Sequence, residues 1–217
     1  MRMAQQSFQA FGTLRRFARR REDEERCELC GSAVAPEHEH LAEPGQRRLI
    51  CACQACAILF SGQVGQRYRR VPTGVRALPG FLLTDAQWDS LLVPINMAFF
   101  FANSATGRIT AVYPSPAGAT ESLLPLENWE QIALANPVVR SMEPDVEALL
   151  VNRLGAVRGF PVNEYFLVPI DQCFQLVGLI RTHWRGLSGG EELWQEVAHY
   201  FAGLAARAVV VREESHA

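Results

Sequence analysis

Cys27-Glu28-Leu29-Cys30-Gly31 and Cys51-Ala52-Cys53-Gln54-Ala55-Cys56 hold five of the chain's six cysteines within thirty positions. Two pairs, Cys27 with Cys30 and Cys53 with Cys56, have the two-residue spacing that lets a tight backbone turn aim both sulfurs at one ion. A tetrahedral shell of four thiolates suits zinc, and iron in a rubredoxin-like centre is the alternative with the same ligands. Cys51 is then a spare. It can replace Cys53, remain a buried neighbour, or help hold an iron-sulfur cluster. His38 and His40, in Glu37-His38-Glu39-His40, are two further substitutes for a sulfur ligand, or else exposed imidazoles of a polar loop.

Around these ligands the sequence predicts a zinc-ribbon-like module over residues 27–62. Gly31 supplies the positive φ that a knuckle needs just after its second sulfur. Residues 47–50 lead into the second knuckle as a short strand, and residues 57–60 leave it as another. A structural ion at such a site contributes on the order of 10 kcal/mol of apparent folding free energy, so the module should fold only with its ion. Nothing in the pattern calls for an open coordination position, which favours structure over catalysis.

Before the cysteines, residues 5–21 read as a basic amphipathic helix. Phe8, Phe11, Leu14 and Phe17 recur at a spacing of three, and Arg15, Arg16, Arg19 and Arg20 take the other directions. The phenylalanine face can pack on the body of the protein or dock on a partner, and the arginines can meet nucleic acid. Residues 1–76 hold 13 arginines against 8 acids, a balance of +5, and residues 77–217 hold 8 against 15, a balance of -7. All 21 basic residues are arginine. The absence of lysine excludes Schiff-base chemistry and P-loop phosphate binding. The first ten residues lack a secretory pattern, and no apolar run approaches the roughly 18 residues of a membrane span. Clustered cysteines at ligand spacing then point to thiolates in a reducing compartment, and so to the cytoplasm.

Beyond the module, the glycines and prolines of residues 61–80 mark a connection. Residues 75–212 then read as an α+β domain on a mostly antiparallel sheet. Thr84 and Gln87 make a capping box for a short helix ending by residue 92. Residues 95–102 and 109–113 form a buried hairpin across the turn at 103–107, residues 114–119 a loop, and residues 126–135 a helix. Strands are expected over 148–152, 165–170 and 176–181, the last equally readable as helix. Ser188 and Glu191 form a second capping box, for a helix reaching about residue 209. Arg181, Arg185, Ser188, Gly189 and Gly190 gather at that helix start, where free backbone N–H groups can receive an anion. Their alternative role is capping and turn formation. No catalytic constellation is legible. Cys173 reads as a small buried hydrophobe rather than the nucleophile of a dyad with His183.

The cysteine module resembles an uncharacterised bacterial family, and so do Tyr165-Phe166-Leu167-Val168-Pro169-Ile170-Asp171 and the stretch from Leu176-Val177-Gly178 through Arg181-Thr182-His183-Trp184-Arg185-Gly186-Leu187-Ser188-Gly189-Gly190. That family is a domain of unknown function commonly encoded beside actinobacterial-type nickel-iron hydrogenases. The resemblance covers roughly the whole chain. It implies a role near hydrogenase assembly or function, with a hydrogenase subunit or maturation factor as partner, and it carries no established activity. The expectation is a non-enzymatic, metal-stabilised adaptor that binds a protein. The alternatives are a nucleic-acid-binding zinc ribbon and an iron centre for electron transfer or redox sensing.

Overall fold

The computed structural model describes residues 25–46, 48–61, 67–122, 127–155 and 163–211. The helix expected over 5–21, with its four apolar residues and four arginines, lies outside them. Strands β1 (Glu39–Glu43) and β2 (Arg48–Ala52) form an antiparallel hairpin over a 3-10 turn at Pro44–Gln46. Strand β3 (Arg69–Arg70) adds antiparallel to the other side of β1. Helix α1 (Gln54–Ser61) follows β2 directly.

The strand expected over 57–60 is thus a helix, for a local reason. The Cys53 carbonyl accepts from the Ala57 N–H at 2.9 Å, and the Cys56 N–H points at the Cys53 sulfur at 3.5 Å, so Cys53 occupies the capping position of the first turn. Cys56 and Ala57 face inward, and Ile58, Leu59 and Phe60 are exposed. Three consecutive apolar residues gave no period that separates strand from helix.

The larger sheet contains β4 (Arg76–Ala77), β5 (Met97–Asn103), β6 (Arg108–Ser115), β7 (Gly118–Ser122), β8 (Glu147–Asn152), β9 (Glu164–Pro169) and β10 (Val209–Val210). Its order is β10-β4-β9-β8-β5-β6-β7, and every pairing is antiparallel except β10 with β4. The helices of this part are α2 (Asp85–Ser90), α3 (Glu127–Ala135), α4 (Ile170–His183) and α5 (Glu191–Arg207). The protein is α+β on mostly antiparallel sheets, as the sequence predicts. Among the described residues no helix is long and apolar enough to cross a membrane.

Helices cover both faces of the larger sheet. Met97, Phe99, Ala148, Leu150, Phe166 and Val168 point to one side, where α4 and α5 bring Cys173, Leu176, Val177, Ile180, Leu193, Val197, Phe201 and Leu204. The alternate residues Ala98, Phe100, Leu149, Val151 and Leu167 meet Trp88 and Leu91 of the α2 segment and Trp129 and Ile132 of α3. Strand β8 is buried along its whole length, which is why its central residues 148–151 read as a continuous apolar run rather than an alternating one.

Two further expectations change, and one that the sequence leaves open is decided. Residues 176–181 belong to α4, whose buried positions 170, 173, 176, 177 and 180 follow the helical period. Residues 114–119 are not a loop: β6 runs through Ser115, and β7 pairs back with Pro114 opposite Ala119. The turn is that short because the Ser115 hydroxyl donates to the Gly118 carbonyl and accepts from the Ala117 N–H. The second capping box does not form. Gly190, at φ 83°, occupies the N-cap of α5 with no side-chain hydrogen bond. The first box forms as expected, with Thr84 and Gln87 bonding reciprocally.

Candidate metal centre

The first knuckle is a closed turn. The Gly31 N–H donates to the Cys27 carbonyl at 2.8 Å, the Cys27 N–H to the Ser32 carbonyl at 2.8 Å, and Gly31 takes φ 76°. Glu28 clamps this turn onto the edge of β2: its N–H donates to the Cys51 carbonyl at 2.9 Å, and its carboxylate accepts from the Cys51 N–H at 3.0 Å. The second pair stands on the first turn of α1, where the helix N-terminus favours thiolate. The Sγ atoms of Cys27, Cys30, Cys53 and Cys56 all lie within 4.8 Å of one another. Cys30 and Cys53 are 3.7 Å apart at sulfur. Four sulfurs bound at 2.3 Å in a tetrahedron have edges of about 3.8 Å, and a disulfide would need close to 2 Å. The four cysteines can hold a metal ion.

The electrostatics agree with that role. Burial pushes the Cys27 thiol up, but backbone hydrogen bonds from Cys53, Cys30 and Leu29 outweigh it and hold the thiol at about 6. The Ser32 hydroxyl lowers Cys30. Burial, followed by hydrogen bonds with the other thiols, pushes Cys56 up to about 12. Sulfurs packed this closely ionise together only when a cation offsets their mutual repulsion.

His38, His40 and Cys51 do not join this cluster. They form a group of their own, with one ligand atom of each within 4.8 Å of the others. Cys51 lies directly opposite His40 in the β1–β2 register. The His40 Nδ1 is 2.9 Å from the Asp171 carboxylate at the start of α4, and that bond raises its imidazole above the usual value. Sequence spacing could not show this grouping, because His40 and Cys51 meet only through the strand register.

The remaining candidates are apart from both groups. Arg185 donates to the carbonyls of Thr182 and Trp184, each at 3.0 Å, so it closes the C-terminal end of α4. Arg181 is exposed. Glu191 and Glu192 occupy the first turn of α5 and already place negative charge at its N-terminus. A Cβ at Gly189, φ 89°, would stand 2.7 Å from Leu193 Cδ2, so that glycine serves close packing of the turn. Cys173 is fully buried and its thiol is raised well above the usual value by desolvation. It sits ten residues, about 15 Å, before His183 on α4, too far for a dyad. A cavity of about 270 Å³, invisible in the sequence, lies beside the joint of the hairpin and the larger sheet and is lined by residues including Ala42, Glu43, Leu49, Phe101, Ile170 and Phe174.

The model of a family of unknown function (DUF5947) matches residues 26–208, and the chain belongs to that family. No curated protein and no solved structure matches the chain.

Proposed function

We propose that this protein is a non-enzymatic accessory or adaptor whose cysteine module is held by a structural zinc ion and whose partner is another protein. The observation that carries the reading is the closed set of four sulfurs, 3.7 Å apart at Cys30 and Cys53. Four thiolates fill a tetrahedral shell and leave no position for a substrate, the pattern of a structural ion. Exposed Ile58, Leu59 and Phe60 on α1 give the module an apolar surface of the kind that meets other proteins. The partner class, a nickel-iron hydrogenase subunit or maturation factor, rests on the family resemblance alone. Nucleic-acid binding is the weaker reading. Arg48, Arg67, Arg69 and Arg70 each pair with a carboxylate, which reduces the positive charge the module offers to phosphates.

The test is elemental analysis with an absorption spectrum on untagged, anaerobically purified full-length protein, beside Cys30→Ser. Zinc that Cys30→Ser loses, without visible absorption, supports the structural site. Iron with thiolate charge-transfer bands replaces it with electron transfer or redox sensing. A pull-down from a hydrogenase-expressing host that recovers no hydrogenase subunit or maturation factor removes the assigned partner.

A further inference from the structure

The small sheet has two faces, and the four-sulfur cluster uses one of them. Side chains alternate along a strand. Leu41, Ile50 and Ala52 pack with Cys27 and Cys56, so Cys51 and His40 point to the opposite face, toward α4. His38, two positions before His40, shares that face, with the two imidazole centroids 4.7 Å apart.

The hydrogen bonds decide which nitrogens are available. The His40 Nδ1 meets a carboxylate of Asp171 at 2.9 Å, and the His38 Nδ1 meets the Ala35 carbonyl at 2.9 Å. Both partners are acceptors, so each Nδ1 carries the proton and each neutral ring keeps its lone pair on Nε2. Asp171 is itself held, its other oxygen accepting from the Gln172 N–H at 2.7 Å. An imidazole oriented through its far nitrogen by a carboxylate or a backbone carbonyl is the arrangement found behind metal-bound histidines. The His38 side chain is only 6% exposed, and its Nε2 is buried with no hydrogen-bond partner among the described residues. A buried lone pair that nothing donates to needs a reason. A cation supplies one, and the Glu25 carboxylate, 3.4 Å from the His38 Nδ1, adds to the negative surroundings.

We propose that His38, His40 and Cys51 form a second metal site, distinct from the four-cysteine cluster, which binds a divalent first-row transition-metal ion of borderline softness through two Nε2 atoms and one thiolate. Two imidazoles and a thiolate select zinc, cobalt, nickel or copper over magnesium and calcium. One ligand atom of each residue lies within 4.8 Å of the others, and side-chain rotation brings three such atoms to the edges of about 3.5 Å that such bonds require. Three protein ligands leave a fourth position for water or an exogenous ligand, in contrast to the filled shell across the sheet. The inference does not depend on which ion fills the four-cysteine cluster.

Cobalt(II) titration of the full-length protein tests it, followed by optical spectra, metal counting after dialysis and long-range proton-nitrogen spectra of the histidine rings. The expected result is two equivalents for the wild type and one for Cys51→Ser and for His38→Ala, with the intense four-thiolate band intact in both variants. That band is the folding control. Failure of the structural reading shows as a wild type that never develops the four-thiolate band, and failure of this one as a second equivalent that Cys51→Ser and His38→Ala still bind, so the two are separable. If a variant loses both signals, the wild type decides: the Nε2 resonances of His38 and His40 shift as the second equivalent loads. A wild type that binds one equivalent with those resonances unmoved, or variants that bind as much cobalt as the wild type, overturns the proposal.

Discussion

The His40 Nδ1 donates to the Asp171 Oδ2 at 2.9 Å, tying the small sheet to the first turn of α4 across 131 residues of chain. A second tie runs from Arg69 of β3 to Asp145, whose other oxygen accepts from the Ser104 N–H in the β5–β6 turn. Ala42 and Val71 complete the joint by packing into the core of the larger sheet. The cysteine module is thus docked on the larger sheet by polar and apolar contacts together.

Removing the first tie should loosen that joint without unfolding the larger sheet. Both side chains keep some solvent contact, so Asp171→Ala should cost only about 1 kcal/mol. Hydrogen exchange is the sensitive measurement. Amides of residues 39–43 should exchange faster in the variant, while those of β8 stay protected. Unchanged exchange over 39–43 would show that the apolar contacts hold the module alone.

Stripping metal from the full-length protein should have a far larger and more local effect. The module's own core is small, with Leu41, Ile50, Ala52 and Ala57 packed around Cys27 and Cys56. A structural ion at four thiolates contributes on the order of 10 kcal/mol of apparent folding free energy, more than such a core can replace. Limited proteolysis after chelation, and of Cys30→Ser, should therefore cut within residues 25–61 and spare residues 75–211. Intact resistance of the module after verified metal loss would show that the hairpin folds on its own.

The legibility of the chain follows from these energetics. The spacing of Cys27, Cys30, Cys53 and Cys56 is chemistry written in short-range sequence, and the structure brings their four sulfurs within 4.8 Å of one another. The Thr84 capping box and the buried hairpin were also local. What failed was local pattern without a local cause. Ile58-Leu59-Phe60 resembles a strand until the Cys53 cap is known, and Ser188 resembles a cap until Gly190 takes the position at φ 83°. The group of His38, His40 and Cys51 required a register between two strands and a carboxylate over a hundred residues away, neither of which spacing can supply.

Asn136 carries a network that no pattern announces. It is fully buried; its side-chain oxygen accepts from the Leu82 N–H at 2.7 Å, and its amide donates to the carbonyls of Leu82 and Ile132 at 2.9 and 2.8 Å. This one side chain joins the loop before α2 to the end of α3. Asn136→Ala leaves the Leu82 N–H without its acceptor and a cavity where the buried amide stood, so it should destabilise by about 2–4 kcal/mol. Urea unfolding followed by tryptophan fluorescence reads the change through Trp88 and Trp129, which share that core. A loss below about 1 kcal/mol would mean that the backbone finds other partners.

Glu164 sets a pH dependence whose sign is opposite to that of a salt-bridged carboxylate. Partial burial raises its pKa in the folded protein, against the hydrogen bond it accepts from the Asn152 amide at 2.9 Å. A raised folded-state value means that the native protein holds this proton more tightly than the unfolded chain. The resulting stability is fully present below the unfolded carboxylate value and is lost as pH rises through the folded one. Glu164→Gln keeps an acceptor for Asn152 and has nothing to ionise. The variant should match the wild type near pH 4 and melt higher by about 1–3 °C at pH 7. The check is the melting temperature of both proteins across that range at constant ionic strength. A gap that narrows as pH rises would mean that Glu164 stabilises as the carboxylate, and that the Asn152 hydrogen bond outweighs burial.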